Sequence, residues 1–295
     1  MIDDGNGDTV GGRPVTSVSQ GWSDRVYEWT PAPGQFINET AGGGGNLTTP
    51  EQAAAWAEGR LDAGLYVSLG GFGGYIVVGF DHSITSSGDG FDFAIAGNAY
   101  FNASSSSGGS NEPGIVYVMQ DTDGNGLPDD DWYELKGSEY ENSETLKGYE
   151  VTYYRPSLPA ADVEWTDNFG NSGTVDYMSS FHKQDSYYPL WIEEDSYTLK
   201  GTCLRSNSYL NPDSGYWDNN AYGWGYADNM GSDNTSIGNF GQCNRFRISD
   251  AVKADGSPAN LKYIDFIKVQ TGVNSKSGWL GEVSTEVLGF YDLHM

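Results

Sequence analysis

The sequence has little positive charge, and this excludes two classes of partner. Its 295 residues contain 15 Lys and Arg against 41 Asp and Glu, so the formal net charge is −26 at pH 7 with the 3 His neutral. Such a chain repels phosphate backbones and anionic lipid headgroups. We therefore expect no nucleic-acid partner and no anionic membrane-surface partner.

Long apolar runs are also missing. A membrane-spanning helix needs roughly 18 or more apolar residues in succession, and glycines interrupt the most apolar stretch, residues 65–80. We expect no transmembrane segment in this chain. The start, MIDDGNG, is acidic where a signal peptide is basic. Residues 1–24 are therefore predicted to be a linker or N-terminal extension after an upstream segment, and residues 25–295 to be a single domain.

Cysteine and histidine are too scarce for most catalytic centres. Cys203 and Cys243 are compatible with one disulfide or with two buried thiols. His82, His182 and His294 are far apart in the chain, which argues against a catalytic zinc site. The sequence contains no Gly-x-Ser-x-Gly elbow and no phosphate-binding glycine loop. We predict a protein that is not an enzyme.

Aromatic residues and glycines are abundant, and their pattern predicts a mainly β fold. The chain contains 20 Tyr, 12 Phe, 9 Trp and 41 Gly, whereas disordered acidic chains have few aromatics. Alternating apolar residues bounded by turn residues predict ten short strands. These lie at residues 75–80, 91–95, 115–119, 132–135, 149–154, 163–165, 197–199, 245–248, 263–269 and 285–291. The prediction is a jelly-roll-like β-sandwich.

One short helix is predicted near the N-terminus. Thr49 offers an N-cap hydroxyl, Pro50 suits the first helical position, and Gln52 completes a capping box. The helix should continue through Leu61 and end at Gly64.

Two polar stretches separate the predicted strands. Residues 102–111 are almost all Ser, Gly and Asn and are predicted to be a loop without chemistry. Residues 206–242 are too many for a structureless connection in a compact domain, so we interpret them as a long, aromatic-rich loop insertion. No repeat of 20–50 residues is visible, and we therefore expect neither a propeller nor a solenoid.

An acidic segment at residues 121–131 predicts a structural calcium site. Oxygen donors at its first, third, fifth and ninth positions surround a glycine that permits a sharp bend. The predicted ligands are Asp121, Asp123, Asn125, Asp129 and the carbonyl of Leu127. Trp132 occupies the twelfth position, where an EF-hand has Glu, so the loop is not an EF-hand. The alternative is a solvated acidic hairpin formed by Asn-Gly turn chemistry.

Rings and side-chain amides between residues 182 and 226 predict a binding surface. Rings on polar, glycine-rich loops cannot all enter a sandwich core, and exposed rings next to amides suit a large, flat, polar ligand. The candidate ligand-binding residues are His182, Tyr187, Tyr188, Trp191, Tyr216, Trp217, Asn219, Tyr222, Trp224 and Tyr226. Sugars match this chemistry, and so does a corrin ring with its amide fringe. The alternative is a satellite cluster of packed rings, and Glu193, Glu194 and Asp195 leave a glycosidase as a third interpretation.

Four sequence strings together resemble a known family. They are GGYIVVGFDH at 73–82, EPGIVYV at 112–118, DTDGNGLPDDDWYELKGS at 121–138 and YIDFIKVQT at 263–271. The chain resembles the C-terminal globular part of surface-exposed lipoproteins of gut Bacteroidetes, among which BtuH-type proteins bind vitamin B12. The resemblance implies an upstream lipid anchor, a place on the extracellular face of the outer membrane, and delivery of ligand to a TonB-dependent transporter. It assigns no ligand residues.

The leading hypothesis is therefore a non-enzymatic surface protein that captures cobalamin or a related corrinoid. A glycan-binding module that uses the same rings is the alternative.

Overall fold

The structure, a computed structural model, describes residues 2–3, 9–39, 45–102 and 108–295. Strands dominate these residues, which contain one α-helix and two short 3-10 helices. The first strands are β1 (Ile2–Asp3), β2 (Thr9–Val10), β3 (Arg25–Thr30), β4 (Val67–Ser68), β5 (Tyr75–Thr85), β6 (Phe93–Ala96), β7 (Tyr100–Phe101), β8 (Gly108–Ser110), β9 (Gly114–Met119), β10 (Trp132–Leu135) and β11 (Leu146–Tyr154). They are followed by β12 (Val163–Asp167), β13 (Ser172–Val175), β14 (Ser196–Cys203), β15 (Ser208–Leu210), β16 (Trp217–Asn220), β17 (Asn234–Ile237), β18 (Phe240–Phe246), β19 (Ala251–Val252), β20 (Tyr263–Thr271), β21 (Glu286–Val287) and β22 (Gly289–Asp292). The predicted mainly β fold is confirmed.

The helix α1 (Pro50–Asp62) lies where the capping residues predicted it. The Thr49 hydroxyl accepts a hydrogen bond from the backbone N–H of Gln52 at 3.2 Å, which satisfies one of the free donors of the first turn. Ala53 and Ala57 are buried on its inner face. The 3-10 helices span Ile248–Asp250 and Gly278–Leu280.

The largest sheet is antiparallel and has six strands in the order β19-β10-β9-β20-β5-β3. The central strand β20 pairs over most of its length with β5 on one side and with β9 on the other. α1 packs beside this sheet, and Trp29 of β3 lies between Trp56 and Trp191, each with its ring centroid 4.8 Å away. The sheet and α1 form the main hydrophobic core.

Three smaller antiparallel sheets each have four strands, in the orders β13-β12-β11-β14, β15-β16-β8-β7 and β17-β18-β6-β22. Two-stranded pairs β1-β2 and β21-β4 complete the described part of the chain. The sheets resemble a four-bladed propeller more than a clear jelly-roll sandwich, so the expectation against a propeller was wrong. Most of the expected strands are present, but their grouping was not visible in the sequence. β6, for example, pairs with strands that begin at residues 240 and 289, and no short repeat can encode such distant pairing.

Residues 206–242 are not a structureless loop, because they supply β15, β16, β17 and the start of β18. β15 and β16 extend the sheet that contains β7 and β8. Residues 206–242 therefore fold as part of the β-sheet structure and do not form a separate loop.

Of the two alternatives for the cysteines, the structure has two buried free thiols. Cys203 packs in the cluster on β11 and β14, and Cys243 in a separate cluster on β6 and β18. Burial raises the pKa of Cys203 to about 12.

The described residues directly before β3 contact the strands near the C-terminus. Arg13 forms an ion pair with Asp265 of β20 at 3.2 Å, and Trp22 forms a β-bridge with Tyr291. The domain boundary at residue 24 stays a prediction. No helix in the described ranges is long and apolar enough to cross a membrane.

Candidate functional site

One concavity in the described part of the chain is a pocket of about 620 Å³. It lies where β7, β16 and the 3-10 helix Gly278–Leu280 meet the segments that carry Phe36 and His182. Its ring side chains are Phe36, Tyr100, Phe181, His182, Tyr216, Trp217 and Trp279. Its amide side chains are Gln35, Asn102, Asn211 and Asn219. We call it the aromatic pocket.

Four of the ten predicted ligand residues line the aromatic pocket: His182, Tyr216, Trp217 and Asn219. Tyr216 is 62 % exposed, so its ring is available for contact. Its ring centroid lies 6.3 Å from that of Trp279, and the two rings are edge to face.

Five predicted ligand residues are instead core residues, and their assignment to an exposed surface was wrong. Tyr187 and Tyr188 pack on the β11–β14 sheet, Trp191 joins the main core, and Tyr222 and Tyr226 form part of a further cluster. The hydroxyl groups of the four tyrosines have hydrogen-bond partners inside the protein. The Tyr188 hydroxyl, for instance, donates to the carbonyl of Glu194 at 2.8 Å. A tyrosine can be buried without a large cost when its hydroxyl group is hydrogen-bonded. Polar neighbours in the sequence can supply such hydrogen bonds, so they did not show that these rings are exposed.

Trp224 lies outside the aromatic pocket. It is 39 % exposed and lines a separate pocket of about 330 Å³ together with Phe91, Arg245 and Arg247. The guanidinium groups of both arginines lie over the Phe91 ring, at 4.3 and 4.1 Å from its centroid. The predicted set of rings is thus divided between two pockets and the core.

A glycine fixes the position of Trp217. Gly278 has φ of +54°, and a Cβ at this position would be 2.0 Å from Trp217 Nε1. The indole therefore packs directly on the Gly278 backbone, an approach that only glycine permits.

Four pocket rings were missed by sequence reasoning: Phe36, Tyr100, Phe181 and Trp279. Trp279 stands in the polar, glycine-containing segment 275–281, which is the same signal that selected Tyr216. Phe36 and Tyr100 stand in similar segments, after Gly34-Gln35 and Gly97-Asn98, whereas Phe181 has no nearby glycine.

The amides of the pocket wall are held in place. Asp218 accepts hydrogen bonds from the side-chain amides of Asn102 and, at 2.7 Å, Asn211. Asn219 Oδ1 accepts from the Ser277 hydroxyl at 2.7 Å. No Lys or Arg is found among the lining residues that the structure describes. The wall is therefore polar and preorganised, without a positive charge.

Besides Asp218, the carboxylates of Glu112 and Glu282 line the pocket. Glu282 Oε1 accepts from the backbone N–H of Gln35 at 2.7 Å, while its buried Oε2 has no partner among the described residues. Burial raises the pKa of Glu282 to about 8. Desolvation also raises the pKa of Glu112.

His182 is positioned by a carboxylate and two rings. Its Nδ1 lies 2.7 Å from Glu39 Oε1, and its ring meets Phe36 and Phe181 edge to face. The other histidines are far from the pocket and bind carboxylates: His82 contacts Asp292 at 3.0 Å.

The predicted calcium loop connects β9 to β10 and is largely exposed. Asp121 accepts hydrogen bonds from the backbone N–H groups of Gly124, Asn125 and Gly126 at 2.7, 3.2 and 2.9 Å. The acidic oxygens that lie within 4.8 Å of one another belong to Asp121, Asp123 and Asp130.

The structure therefore groups Asp130, and not the predicted Asp129, with the first two aspartates of the loop. The Asn125 amide nitrogen donates to Asp129 at 3.2 Å, and Asn125 Oδ1 accepts from the N–H of Leu127 at 2.7 Å. These contacts agree with turn chemistry, and calcium binding stays a prediction.

The carboxylates considered for a glycosidase do not lie in the aromatic pocket. Glu193, Glu194 and Asp195 are exposed on the turn before β14, and the carbonyl of Asp195 accepts from the N–H of Arg155 at 2.8 Å.

Comparison of the chain with protein-family models and with curated proteins gives no match. What the pocket binds must therefore be inferred from its own residues.

Proposed function

We propose that this chain is a non-enzymatic binding protein that captures cobalamin or a related corrinoid in the aromatic pocket. The observation that carries the proposal is the convergence of seven ring side chains with four amides in one open pocket. Ring faces provide contact area to a large rigid ligand, and amides orient it.

The charge of the lining also suits this ligand class. A pocket with no Lys or Arg among its described lining residues, in a chain of net charge −26, disfavours ligands whose recognition depends on negative charge. A corrin ring carries a fringe of neutral amides, which can exchange hydrogen bonds with Asn102, Asn211 and Asn219. Because such a ligand is rigid, the entropy lost on binding is small.

A glycan is the second candidate, and one observation favours it. Tyr216 and Trp279 are 62 % and 53 % exposed, next to the carboxylate of Asp218. Exposed rings beside carboxylate and amide acceptors can stack on a sugar face and accept hydrogen bonds from its hydroxyl groups.

The resemblance to surface-exposed lipoproteins extends the proposal to the cellular setting. The chain would be anchored through an upstream lipidated segment at the extracellular face of the outer membrane. It would pass the corrinoid to a TonB-dependent transporter.

Calorimetric titration with cyanocobalamin, beside a glycan panel, tests the proposal. We expect saturable heat with cyanocobalamin, and a shift in its visible spectrum if His182 ligates the cobalt. No heat with cyanocobalamin together with a clear glycan hit would replace the first candidate by the second.

The two tryptophan pockets provide a matched pair of variants. Trp279→Ala removes an exposed ring from the aromatic pocket, whereas Trp224→Ala removes an exposed ring from the other pocket. Loss of one ring contact of about 1.4 kcal/mol weakens binding about tenfold. We expect this loss for Trp279→Ala and unchanged affinity for Trp224→Ala, and the reverse result would place the ligand in the other pocket.

We also propose that the loop at residues 121–130 binds calcium in a structural role. The oxygens of Asp121, Asp123 and Asp130 would be its acidic ligands, in place of the set that includes Asp129. Calcium prefers oxygen ligands of this kind, and it would reduce the repulsion between carboxylates that a short loop brings together.

A further inference from the structure

A second acidic group lies inside the protein, away from the exposed loop. One carboxylate oxygen from each of Glu112, Asp228 and Glu286 lies within 4.8 Å of the others. Asp228 is 0 % exposed and Glu286 is 4 % exposed. Asp228 and Glu286 are therefore shielded from water, whereas Glu112 is partly exposed.

No Lys, Arg or His forms an ion pair with this cluster in the described ranges. Its partners outside the cluster are neutral donors, and within the cluster the side chains of Glu112 and Glu286 are hydrogen-bonded to each other. Asp228 accepts from the N–H of Asn98 at 2.9 Å and from the N–H of Glu286 at 3.0 Å. Glu112 accepts from the N–H of Ser284 at 3.2 Å. Desolvation and mutual repulsion raise the pKa of Asp228 and of Glu286.

A buried amide oxygen points at the same place and has no partner. Gln242 is 8 % exposed, and its Oε1 has no hydrogen-bond partner among the described residues. Its Nε2 donates to Asn244 Oδ1 at 2.9 Å and to the carbonyl of Asn229 at 3.3 Å. These two acceptors fix the orientation of the amide, so Oε1 must face the other way.

On that other side lies Asp228. Gln242 Oε1 and Asp228 Oδ1 are each 2.7 Å from the point where a Cβ on Gly97 would be, so they are no more than twice that distance apart. An amide oxygen that faces a carboxylate without a donor between them is unfavourable. A cation close to both oxygens would remove this cost.

We propose that Glu112, Asp228, Glu286 and Gln242 form a buried binding site for a calcium ion. All four residues offer oxygen, which is the ligand type of hard cations. Oxygen ligands lie about 2.3–2.6 Å from a calcium ion, so two oxygens up to about 5 Å apart can share one ion. The three carboxylate oxygens lie within 4.8 Å of one another and satisfy this condition. The ion would also neutralise most of the charge of three carboxylates.

The aromatic pocket provides the entry path. Glu112 belongs both to the cluster and to the pocket lining, so a cation can reach the cluster without passing through the core. Glu282 lies beside this path with its unpartnered Oε2.

Calcium titration of protein that has been stripped of metal by a chelator tests the site. The aspartates of the exposed loop are first replaced, so that the loop does not contribute to the measured calcium binding. In the variant Asp123→Ala with Asp130→Ala, we expect one calcium ion still to bind by calorimetry and to raise the melting temperature. Adding Glu286→Gln should weaken that binding at least tenfold. The absence of calcium binding in the loop variant would overturn the proposal.

Glu282→Gln in the same loop-deficient background is the matched control. It changes another buried carboxylate that lies outside the four proposed ligands, and calcium stoichiometry should remain one. If Glu286→Gln does not fold, Asp228→Asn provides the same test, with folding checked by circular dichroism. If a folded Glu286→Gln or Asp228→Asn variant binds calcium as tightly as the Glu282→Gln control, the carboxyl groups of the cluster share protons and hold no metal.

Discussion

The two acidic groups of this protein have similar side chains and opposite surroundings. The loop takes its aspartates from positions 121–130, is exposed, and satisfies them with its own backbone N–H groups. The buried cluster takes its carboxyl groups from positions 112, 228 and 286. In the loop, water lowers the cost of charge, whereas in the interior a proton or a cation must do so. Burial, and not composition, decides the chemistry of each group.

The largest expected effect is on stability without metal. Asp228→Ala leaves the buried N–H of Glu286 and that of Asn98 without their acceptor, and each such loss costs about 1–3 kcal/mol. In EDTA, burial and the neighbouring Glu112 raise the pKa of Asp228 well above its usual range, so removing this carboxyl relieves less repulsion than removing an ordinary carboxylate would. We expect the free energy of unfolding, measured in urea, to fall by about 2–6 kcal/mol.

Asp123→Ala is the exposed counterpart in the same denaturation experiment. Its expected loss is below about 1 kcal/mol, since surface substitutions outside special features have small effects. Equal losses for the two variants would remove the distinction between loop and cluster.

The pH dependence of stability should have opposite signs in the two regions. Burial raises the pKa of Glu282, beside the cluster, to about 8. Its contribution to stability is thus fully present below its unfolded pKa and is lost as the pH rises through about 8. In EDTA, unfolding free energy should fall between pH 6 and 9 in the native sequence and fall less in Glu282→Gln.

In the loop, hydrogen bonds from Thr122 lower the pKa of Asp130. Its contribution is present above its unfolded pKa and is lost as the pH falls through the lowered value. In Thr122→Val, the free energy of unfolding should therefore fall less on acidification below about pH 4. Its dependence on pH in the alkaline range should not change. A change on the alkaline side alone would contradict this assignment.

The smallest expected effect distinguishes two neighbouring residues of the loop. Asp130 is grouped with Asp121 and Asp123, whereas Asp129 accepts from the Asn125 amide. If the loop binds calcium, Asp130→Ala should reduce the calcium-induced rise in melting temperature more than Asp129→Ala. A larger effect of Asp129→Ala would restore the ligand set that the sequence predicted.

Local signals in the sequence predicted local structure well. The helix at Pro50–Asp62 follows from one capping hydroxyl and one proline, which act within a single turn. Strand Trp132–Leu135 has its predicted bounds, because period-two alternation is also a local property. The sheets to which the strands belong were not predictable, since β6 pairs with strands more than 100 residues away.

The rings show the same limit for the candidate site. Tyr216 and Tyr222 share a polar, glycine-rich context in the sequence, yet Tyr216 is exposed in the pocket and Tyr222 is 3 % exposed in a core cluster. Composition placed both on loops, and only the packing of distant segments separated them.

The sequence by itself determined the scarcity of cations, the mainly β character, the capped helix and the acidic loop, because each depends on composition or on neighbouring residues. The tertiary structure alone decided which rings face solvent and which carboxyl groups meet inside the protein. Both depend on contacts between residues far apart in the chain, such as Glu112 with Glu286. Desolvation, which changes the chemistry of those groups, exists only after the chain has folded around them.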